Sequence, residues 1–225
     1  MKEMSNNTKN MINPQALHYL RTLFAKEDTL VKEARERSVN EDFPIGVPPE
    51  VGKTLHLLIA LTNPQKIIEI GTHAGCSMIW MARALSKEAH LYTIERSPDR
   101  LPLAKKTLSE FDRQDQITLC EGFARDVLPT LEDKGPFDLI FIDADKPGYL
   151  NYLDWAEKNI RKGGLIIADD TFLFGAVYQK NLPSRVRPST CHIMKTFNQR
   201  LANPEKYLSI MLPSEHGLLV AQKLF

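Results

Sequence analysis

The sequence predicts an α/β protein built on a doubly wound, Rossmann-like mixed sheet of seven strands. Five strand patterns alternate with helix patterns between residues 66 and 201, which is typical of a parallel sheet covered by helices on both faces. Two further strands, Tyr207–Leu212 and Leu218–Lys223, flank Pro-Ser-Glu-His-Gly, which indicates an antiparallel hairpin. We therefore expect N-terminal helices, a parallel core and a C-terminal antiparallel hairpin.

Length and composition indicate one large domain. The chain has 225 residues, of which 43% are hydrophobic and 25% charged, enough to bury a sizeable core. We expect a single domain over residues 1–225, in which 1–13 form a polar tail, 14–62 a helical part and 63–225 the Rossmann-like core.

Charge, hydropathy and cysteine usage indicate the cellular compartment of the protein and the classes of binding partner to expect. The net charge of +1 gives no reason to expect a nucleic acid or an anionic membrane as partner. No apolar run is long enough to span a bilayer, and the N-terminus lacks a hydrophobic signal core. Cys76, Cys120 and Cys191 form no CxxC or zinc pattern. We expect a reduced, cytoplasmic protein without nucleic-acid or membrane partners.

Two helices are predicted before the core, at residues 14–26 and 28–38. They form a lid, a dimer contact or both, or they are simply packed on the domain, and these alternatives stay open. A proline-rich loop at 43–49 and a helix at 49–61 follow. This order brings the loop near the end of the first strand.

The first strand and the loop after it are the centre of the predicted fold. Three isoleucines in residues 66–70 indicate a buried strand, and Gly71 and Gly75 lead into a helix that begins near Ser77. Such a loop presents backbone N–H groups to a ligand. Its spacing is Gly-x-x-x-Gly, with His73 where a dinucleotide fingerprint needs glycine. A ligand without phosphates, such as S-adenosylmethionine, therefore fits better than a pyrophosphate.

Glu95 ends the second predicted strand, His90–Glu95. A carboxylate in this position can accept hydrogen bonds from both ribose hydroxyls of a nucleoside. The alternative is that Gly71 and Gly75 are ordinary turn residues and Glu95 is an exposed strand end.

The remaining core elements follow the same alternation. They are a helix at 101–111, a strand at 116–121, a short helix after Gly122, a strand at 137–143, a helix at 147–160, a strand at 163–169 and a helix at 190–201.

Acidic residues follow the strands where ligands of such sheets bind. Asp143 follows the fourth strand, and Asp169 and Asp170 follow the fifth. Neighbouring strands lie about 5 Å apart, so these carboxylates would crowd one corner and repel one another without a cation. All-oxygen ligation suits Mg²⁺, with Mn²⁺ or Ca²⁺ as alternatives. Otherwise these acids are turn or capping residues.

Lys146 follows Asp143 by three residues. Beside a metal and an apolar wall its pKa would be lowered, so that it can act as a general base. The alternative is a surface lysine paired with Asp145.

Three segments resemble a known family: EIGTHAGCS, IDADKPGYLNY and IIADDTFLFG. They are similar to the cation-dependent branch of the class I S-adenosylmethionine-dependent O-methyltransferases, which includes the catechol and caffeoyl-CoA enzymes. The resemblance runs from about residue 43 through the C-terminal hairpin, and the run Asp-Ala-Asp-Lys-x-x-Tyr at 143–149 is its most specific part.

The resemblance implies a cofactor site and a reaction. The methionine and sulfonium end of the cofactor would be lined by Glu69, Gly71, Thr72 and Ser77 and closed by Val47. Glu95 would hold the ribose and Ala124 would border the adenine. Asp143, Asp169 and Asp170 would hold the cation, Asp143 would also lie close to the cofactor, and Lys146 would take the proton of a small acceptor with vicinal hydroxyls.

Two positions depart from the family pattern. Asp170 stands where the family usually has asparagine, and its extra charge should tighten cation binding and weaken the Lewis acidity of the cation. Cys76 stands where an aromatic residue is common, which shortens one wall near the cofactor.

The acceptor is less defined by the sequence. The loop at 172–188 carries Lys180, Arg185 and Arg187, which either meet an anionic acceptor or form a solvated surface. The resemblance also implies a homodimer. The alternative functions are a nicotinamide-dependent oxidoreductase and a non-catalytic nucleoside-binding protein.

Overall fold

A seven-stranded mixed sheet runs through the protein in a computed structural model that describes residues 13–37 and 46–225. The strands are β1 (Lys66–Ile70), β2 (His90–Glu95), β3 (Ile117–Glu121), β4 (Phe137–Ile142), β5 (Ile160–Ala168), β6 (Tyr207–Leu212) and β7 (Leu218–Lys223). They lie in the order β3-β2-β1-β4-β5-β7-β6. β1 to β5 are parallel, whereas β7 is antiparallel to both β5 and β6. The predicted fold class is confirmed.

The α-helices of the described ranges follow the predicted alternation. They are α1 (Pro14–Leu23), α2 (Thr29–Glu36), α3 (Pro49–Thr62), α4 (Cys76–Ala82), α5 (Leu101–Ser109), α6 (Ala124–Val127), α7 (Tyr149–Asn159) and α8 (Pro188–Leu201). No helix in the part of the chain that the structure describes has the length and apolar character needed to cross a membrane.

Two hydrophobic clusters cover opposite faces of the sheet. Ile68, Ile140 and Ile166 point into a cluster with residues of α7 and α8, whereas their neighbours Ile67 and Leu139 point into a cluster with residues of α3 and α4. Because successive strand residues face opposite sides, both faces are apolar, as expected for a doubly wound sheet.

β5 begins three residues earlier than predicted. Ile160 pairs with Phe137, and the register then shifts before Leu165 pairs with Leu139. Gly163 lies in this irregular stretch with a φ of +77°, and a bulge of this kind disguises the start of a strand in the sequence.

The N-terminal helices are attached to the core by arginines. Arg21 of α1 pairs with Glu50 of α3 at 2.7 Å, and Arg35 of α2 donates to the carbonyl oxygen of Val47 at 2.8 Å. Asn13, expected in the tail, instead caps α1 by accepting from the backbone N–H of Gln15. The rest of the predicted tail (1–12), the end of the second predicted helix (38) and the first part of the proline-rich loop (43–45) lie outside the described residues.

Candidate active site

A cavity of about 270 Å³ lies at the carboxyl ends of β1, β2 and β4. Open α/β sheets bind ligands in this position, where the strand order reverses. Seven of the residues predicted to bind the cofactor line this cavity: Val47, Gly71, Thr72, Ser77, Glu95, Ala124 and Asp143. Lys146 and Asp170 line it as well, so the predicted cofactor residues and part of the predicted reaction centre share one space.

Gly71 lets the loop after β1 cross close to the end of β4. Its φ is +103°, and a Cβ atom there would lie 2.0 Å from the carbonyl oxygen of Asp143. The backbone N–H groups of Gly71 and Thr72 both donate to the carbonyl oxygen of Ile94, at 3.0 and 3.2 Å. Only glycine satisfies both the conformation and the close approach.

Glu95 is held rigidly in the cavity wall. One carboxylate oxygen accepts from the backbone N–H of His73 at 2.7 Å and the other from that of Ser97 at 2.8 Å. The side chain is only 4% exposed, so the alternative of an exposed strand end is wrong. Each oxygen has a second lone pair, which leaves Glu95 able to accept hydrogen bonds from a ligand.

Glu69 lies below the cavity rather than in its wall. It is fully buried, accepts from the hydroxyl of Ser77, and accepts from that of Thr93 at 2.5 Å. Burial raises the pKa of Glu69 to about 7, although both hydroxyls favour the charged form. The structure therefore places Glu69 where it orients Ser77, which does line the cavity. This buried network was not predictable from the residue pattern.

Replacing Glu69 with glutamine should stabilise the protein at alkaline pH. The pKa is about 7 in the folded state against 4.5 in the reference state, so the folded protein binds the extra proton and loses stability as the pH rises from about 4.5 to 7. This loss amounts to at most about 3 kcal/mol. In urea unfolding, the stability of Glu69→Gln relative to wild type should rise between pH 5 and 8, whereas the exposed control Glu121→Gln should show no such trend. A constant difference would contradict the raised pKa.

Asp143, Asp169 and Asp170 lie at the ends of β4 and β5, where their strand positions predict them. The backbone N–H of Asp143 donates to Ile70 at 2.9 Å, and that of Asp169 donates to Ile142 at 3.0 Å. Burial raises the pKa of both carboxyls, and the neighbouring Asp170 raises them further. Asp169 is 3% exposed, and its Oδ1 has no hydrogen-bond partner in the described structure.

Lys146 lies between two of these carboxylates. Its Nζ is 3.1 Å from Asp170 Oδ2 and 3.6 Å from Asp143 Oδ1, and it donates to the hydroxyl of Tyr149 at 2.6 Å. Burial lowers the pKa of Lys146, but Tyr149, Asp170 and Asp143 outweigh burial and raise it well above the ordinary value. The expectation of a lowered pKa assumed a cation beside Lys146, and it stays a prediction.

Asp145 is not the partner of Lys146. It pairs with Arg96 at 3.4 Å and accepts from the hydroxyl of Tyr152 at 2.8 Å. The alternative of a surface pair between Lys146 and Asp145 is wrong, because the lysine turns toward Asp170.

The three carboxylates have the chemistry of a site for a hard cation, but they are not arranged as one here. Within residues 13–37 and 46–225, no three His, Cys, Asp or Glu side chains are grouped so that they could hold a metal ion. Lys146 supplies a positive charge between Asp143 and Asp170. The all-oxygen donor set and the unpartnered, buried Oδ1 of Asp169 nevertheless fit a divalent cation.

Several residues at the cavity were not predicted from the sequence to be functional. Arg96, Arg100 and Tyr152 also line the cavity. Tyr149 is fully buried, and its hydroxyl connects Lys146 to the backbone carbonyl of Asp169 at 2.9 Å. Its place three residues after Lys146, at the end of the run Asp-Ala-Asp-Lys-x-x-Tyr, was the signal available in the sequence.

The chain is similar to known O-methyltransferases in sequence and in structure. The family model described as O-methyltransferase matches residues 22–224. The chain is 41% identical to a catechol O-methyltransferase of Niastella koreensis, covering 76% of this chain and 79% of that protein. It is 33% identical to one of Mycobacterium tuberculosis, covering 73% and 74%. Among solved structures, the O-methyltransferase TomG of Streptomyces achromogenes, in complex with SAM, is 32% identical with a TM-score of 0.83, covering 94% and 96%.

Proposed function

The chain belongs to the O-methyltransferase family, and from its cavity we propose that it moves the methyl group of S-adenosylmethionine to a hydroxyl of a small acceptor. The acceptor is catechol-like or of hydroxycinnamoyl type, with vicinal hydroxyls. The observation that carries this proposal is the shared cavity, in which Gly71 and Glu95 lie on one side and Lys146 and Asp170 on the other. Membership in this family argues against both alternative functions, the nicotinamide-dependent oxidoreductase and the non-catalytic nucleoside-binding protein.

The cofactor would lie along the ends of β1 and β2. Glu95 would accept from the ribose hydroxyls, Ala124 would border the adenine, and Thr72, Ser77 and Val47 would surround the methionine. Glu69 would act indirectly, because it contacts Ser77 from below the wall. TomG, with the same fold, was solved with SAM bound, which supports this placement.

Replacing Glu95 with alanine should weaken S-adenosylmethionine binding by about 10- to 100-fold, because two hydrogen bonds to a buried carboxylate are lost. Isothermal titration calorimetry measures this effect, with Glu121→Ala, at the exposed end of β3, as the matched control. Unchanged affinity in Glu95→Ala would remove the ribose role. Failure of the wild type to bind S-adenosylmethionine would remove the proposed function.

A divalent cation would be held by Asp143, Asp169 and Asp170, with Mg²⁺ as the first candidate and Mn²⁺ or Ca²⁺ as alternatives. When bound, it would neutralise these carboxylates and polarise the vicinal hydroxyls of the acceptor. Lys146 is the group of this chain that would take the hydroxyl proton. Its ammonium is held by Asp170 and Asp143, and once a cation neutralised their charge its proton would be more easily lost.

Methyl transfer of this kind needs positioning more than charge stabilisation. The attacking oxygen and the sulfonium lose opposite charges as they react, so the site has to align them and exclude water. Val47 forms part of the wall, and Arg35 of α2 fixes its carbonyl oxygen. The N-terminal helices would thus help to close the site.

The same helices would also form a homodimer contact. Tyr19 and Phe24, in and beside α1, and Leu57 and Leu61 of α3 are each more than half exposed. Exposed apolar side chains on these helices support a protein–protein contact there. A single domain over residues 1–225 and a cytoplasmic location remain predictions.

A further inference from the structure

The segment after β5 holds bulky residues in an unfavourable backbone conformation. Asp170, Leu173 and Phe174 have φ angles of 57°, 47° and 54°, in the left-handed region that L-amino acids other than glycine avoid. Leu173 is buried, which offsets part of the cost of its backbone conformation, whereas Phe174 is 41% exposed. Strain of this kind persists where the surroundings impose it, and it is concentrated at binding and catalytic sites.

Phe174 is flanked by two other side chains. The guanidinium carbon of Arg185 lies 3.6 Å from the centre of its ring, and the ring of His216 meets it edge-on at 6.4 Å between centroids. His216 Nδ1 is in turn 4.0 Å from Asp170 Oδ1. Asp170, His216, Phe174 and Arg185 thus form a continuous row, which we call the acceptor row. It runs outward from the cavity wall, of which Asp170 is part.

The acceptor row is fixed by backbone contacts between two segments. Thr171 donates through its N–H and its hydroxyl to the carbonyl oxygen of Gly217, at 3.0 and 2.7 Å. The N–H of Phe172 donates to the carbonyl oxygen of His216 at 2.9 Å. A Cβ atom at Gly217 would lie 2.6 Å from the Phe172 ring. The segments that carry Phe174 and His216 are therefore joined before a ligand binds, which lowers the entropic cost of binding.

We propose that the acceptor row binds the non-reacting substituent of the acceptor and selects substituents that end in a carboxylate. This subsite rests on the proposed function, because it takes Asp170 as the end at which the reacting hydroxyls lie. The Phe174 ring offers apolar contact to the carbon atoms of the substituent. Arg185 is exposed, and stacking on a ring leaves the in-plane N–H groups of a guanidinium available for a bidentate carboxylate.

Three acceptors with similar carbon frames test this subsite: 3,4-dihydroxyphenylacetate, neutral 4-methylcatechol and cationic dopamine. The wild type should show a kcat/KM for the acid about tenfold above that for dopamine. Arg185→Ala should lower the value for the acid about tenfold, mainly through KM, and leave that for 4-methylcatechol within about twofold. Arg185→Glu should reverse the preference toward dopamine. Lys180→Ala, an exposed cation of the same loop, is the matched control.

Direct binding separates this subsite from the proposed reaction. Calorimetry with 3,4-dihydroxyphenylacetate should give about tenfold weaker binding to Arg185→Ala than to wild type, whether or not methyl transfer occurs. This loss without any transfer would support the subsite and overturn the proposed function. Transfer to 4-methylcatechol with an unchanged preference between acid and amine in Arg185→Glu would overturn the subsite and leave the proposed function standing.

Discussion

Lys146→Ala is expected to lower turnover by about 10²- to 10⁴-fold while S-adenosylmethionine affinity stays within about twofold. A positioned general base contributes a factor of this size, and Lys146 Nζ, beside Asp170 and Tyr149, is the basic group that lines the cavity next to the carboxylates. Steady-state kinetics at saturating cofactor and cation measure the loss, and calorimetry measures the affinity.

Lys146→Arg distinguishes the base from a purely electrostatic role. Arginine keeps the positive charge near Asp143 and Asp170 but does not give up its proton in proteins. We therefore expect this variant to be nearly as inactive as Lys146→Ala. The control Lys158→Ala, on the exposed side of α7, should keep full activity. An active Lys146→Arg enzyme would mean that Lys146 supplies charge and that another group takes the proton.

Asp169→Ala is expected to weaken divalent-cation binding by about 100-fold or more and to reduce activity accordingly. Asp169 is buried, and its Oδ1 has no hydrogen-bond partner in the described structure, so its carboxylate is available as a ligand. Mn²⁺ binding followed by electron paramagnetic resonance gives a readout that does not depend on turnover. The exposed Asp126→Asn variant serves as the control.

Asp169→Asn should separate binding from stability. Asparagine keeps the shape of the side chain and removes a charge that Asp143 and Asp170 oppose. In chelator this variant should be at least as stable as wild type in thermal unfolding, and it should still bind Mn²⁺ more weakly. Wild-type Mn²⁺ affinity in Asp169→Ala, or full wild-type activity in excess chelator, would contradict the cation site.

The sheet and the meeting of the carboxylates were predictable because they follow from periodicity. An isoleucine-rich strand such as β1 has to be buried on both faces, and a parallel sheet covered by helices provides such a position. Once the strands are parallel, Asp143 and Asp169 must lie at the same edge, whatever side chains surround them. The left-handed residue Gly71 was visible for a similar reason, since a glycine directly after a strand indicates a sharp change in chain direction.

The properties of the site that depend on distances between side chains were not predictable. The direction of the Lys146 pKa depends on its contacts with Asp170 and Tyr149, and a one-dimensional pattern does not contain these contacts. The family resemblance implied that Glu69 lines the cofactor site, yet hydroxyls of Ser77 and Thr93 hold it below the wall. The acceptor row joins residues from two separate segments, which only the folded chain brings together.

Cation-dependent methyl transfer to vicinal hydroxyls is tested most directly with radiolabelled S-adenosylmethionine and the three benzenediol isomers, with Mg²⁺ and with chelator. We expect Mg²⁺-dependent O-methylation of catechol, at least about 100-fold faster than that of resorcinol or hydroquinone, since only catechol offers two adjacent oxygens to one cation. Equal rates for the three isomers, or transfer to catechol that persists in chelator, would contradict it.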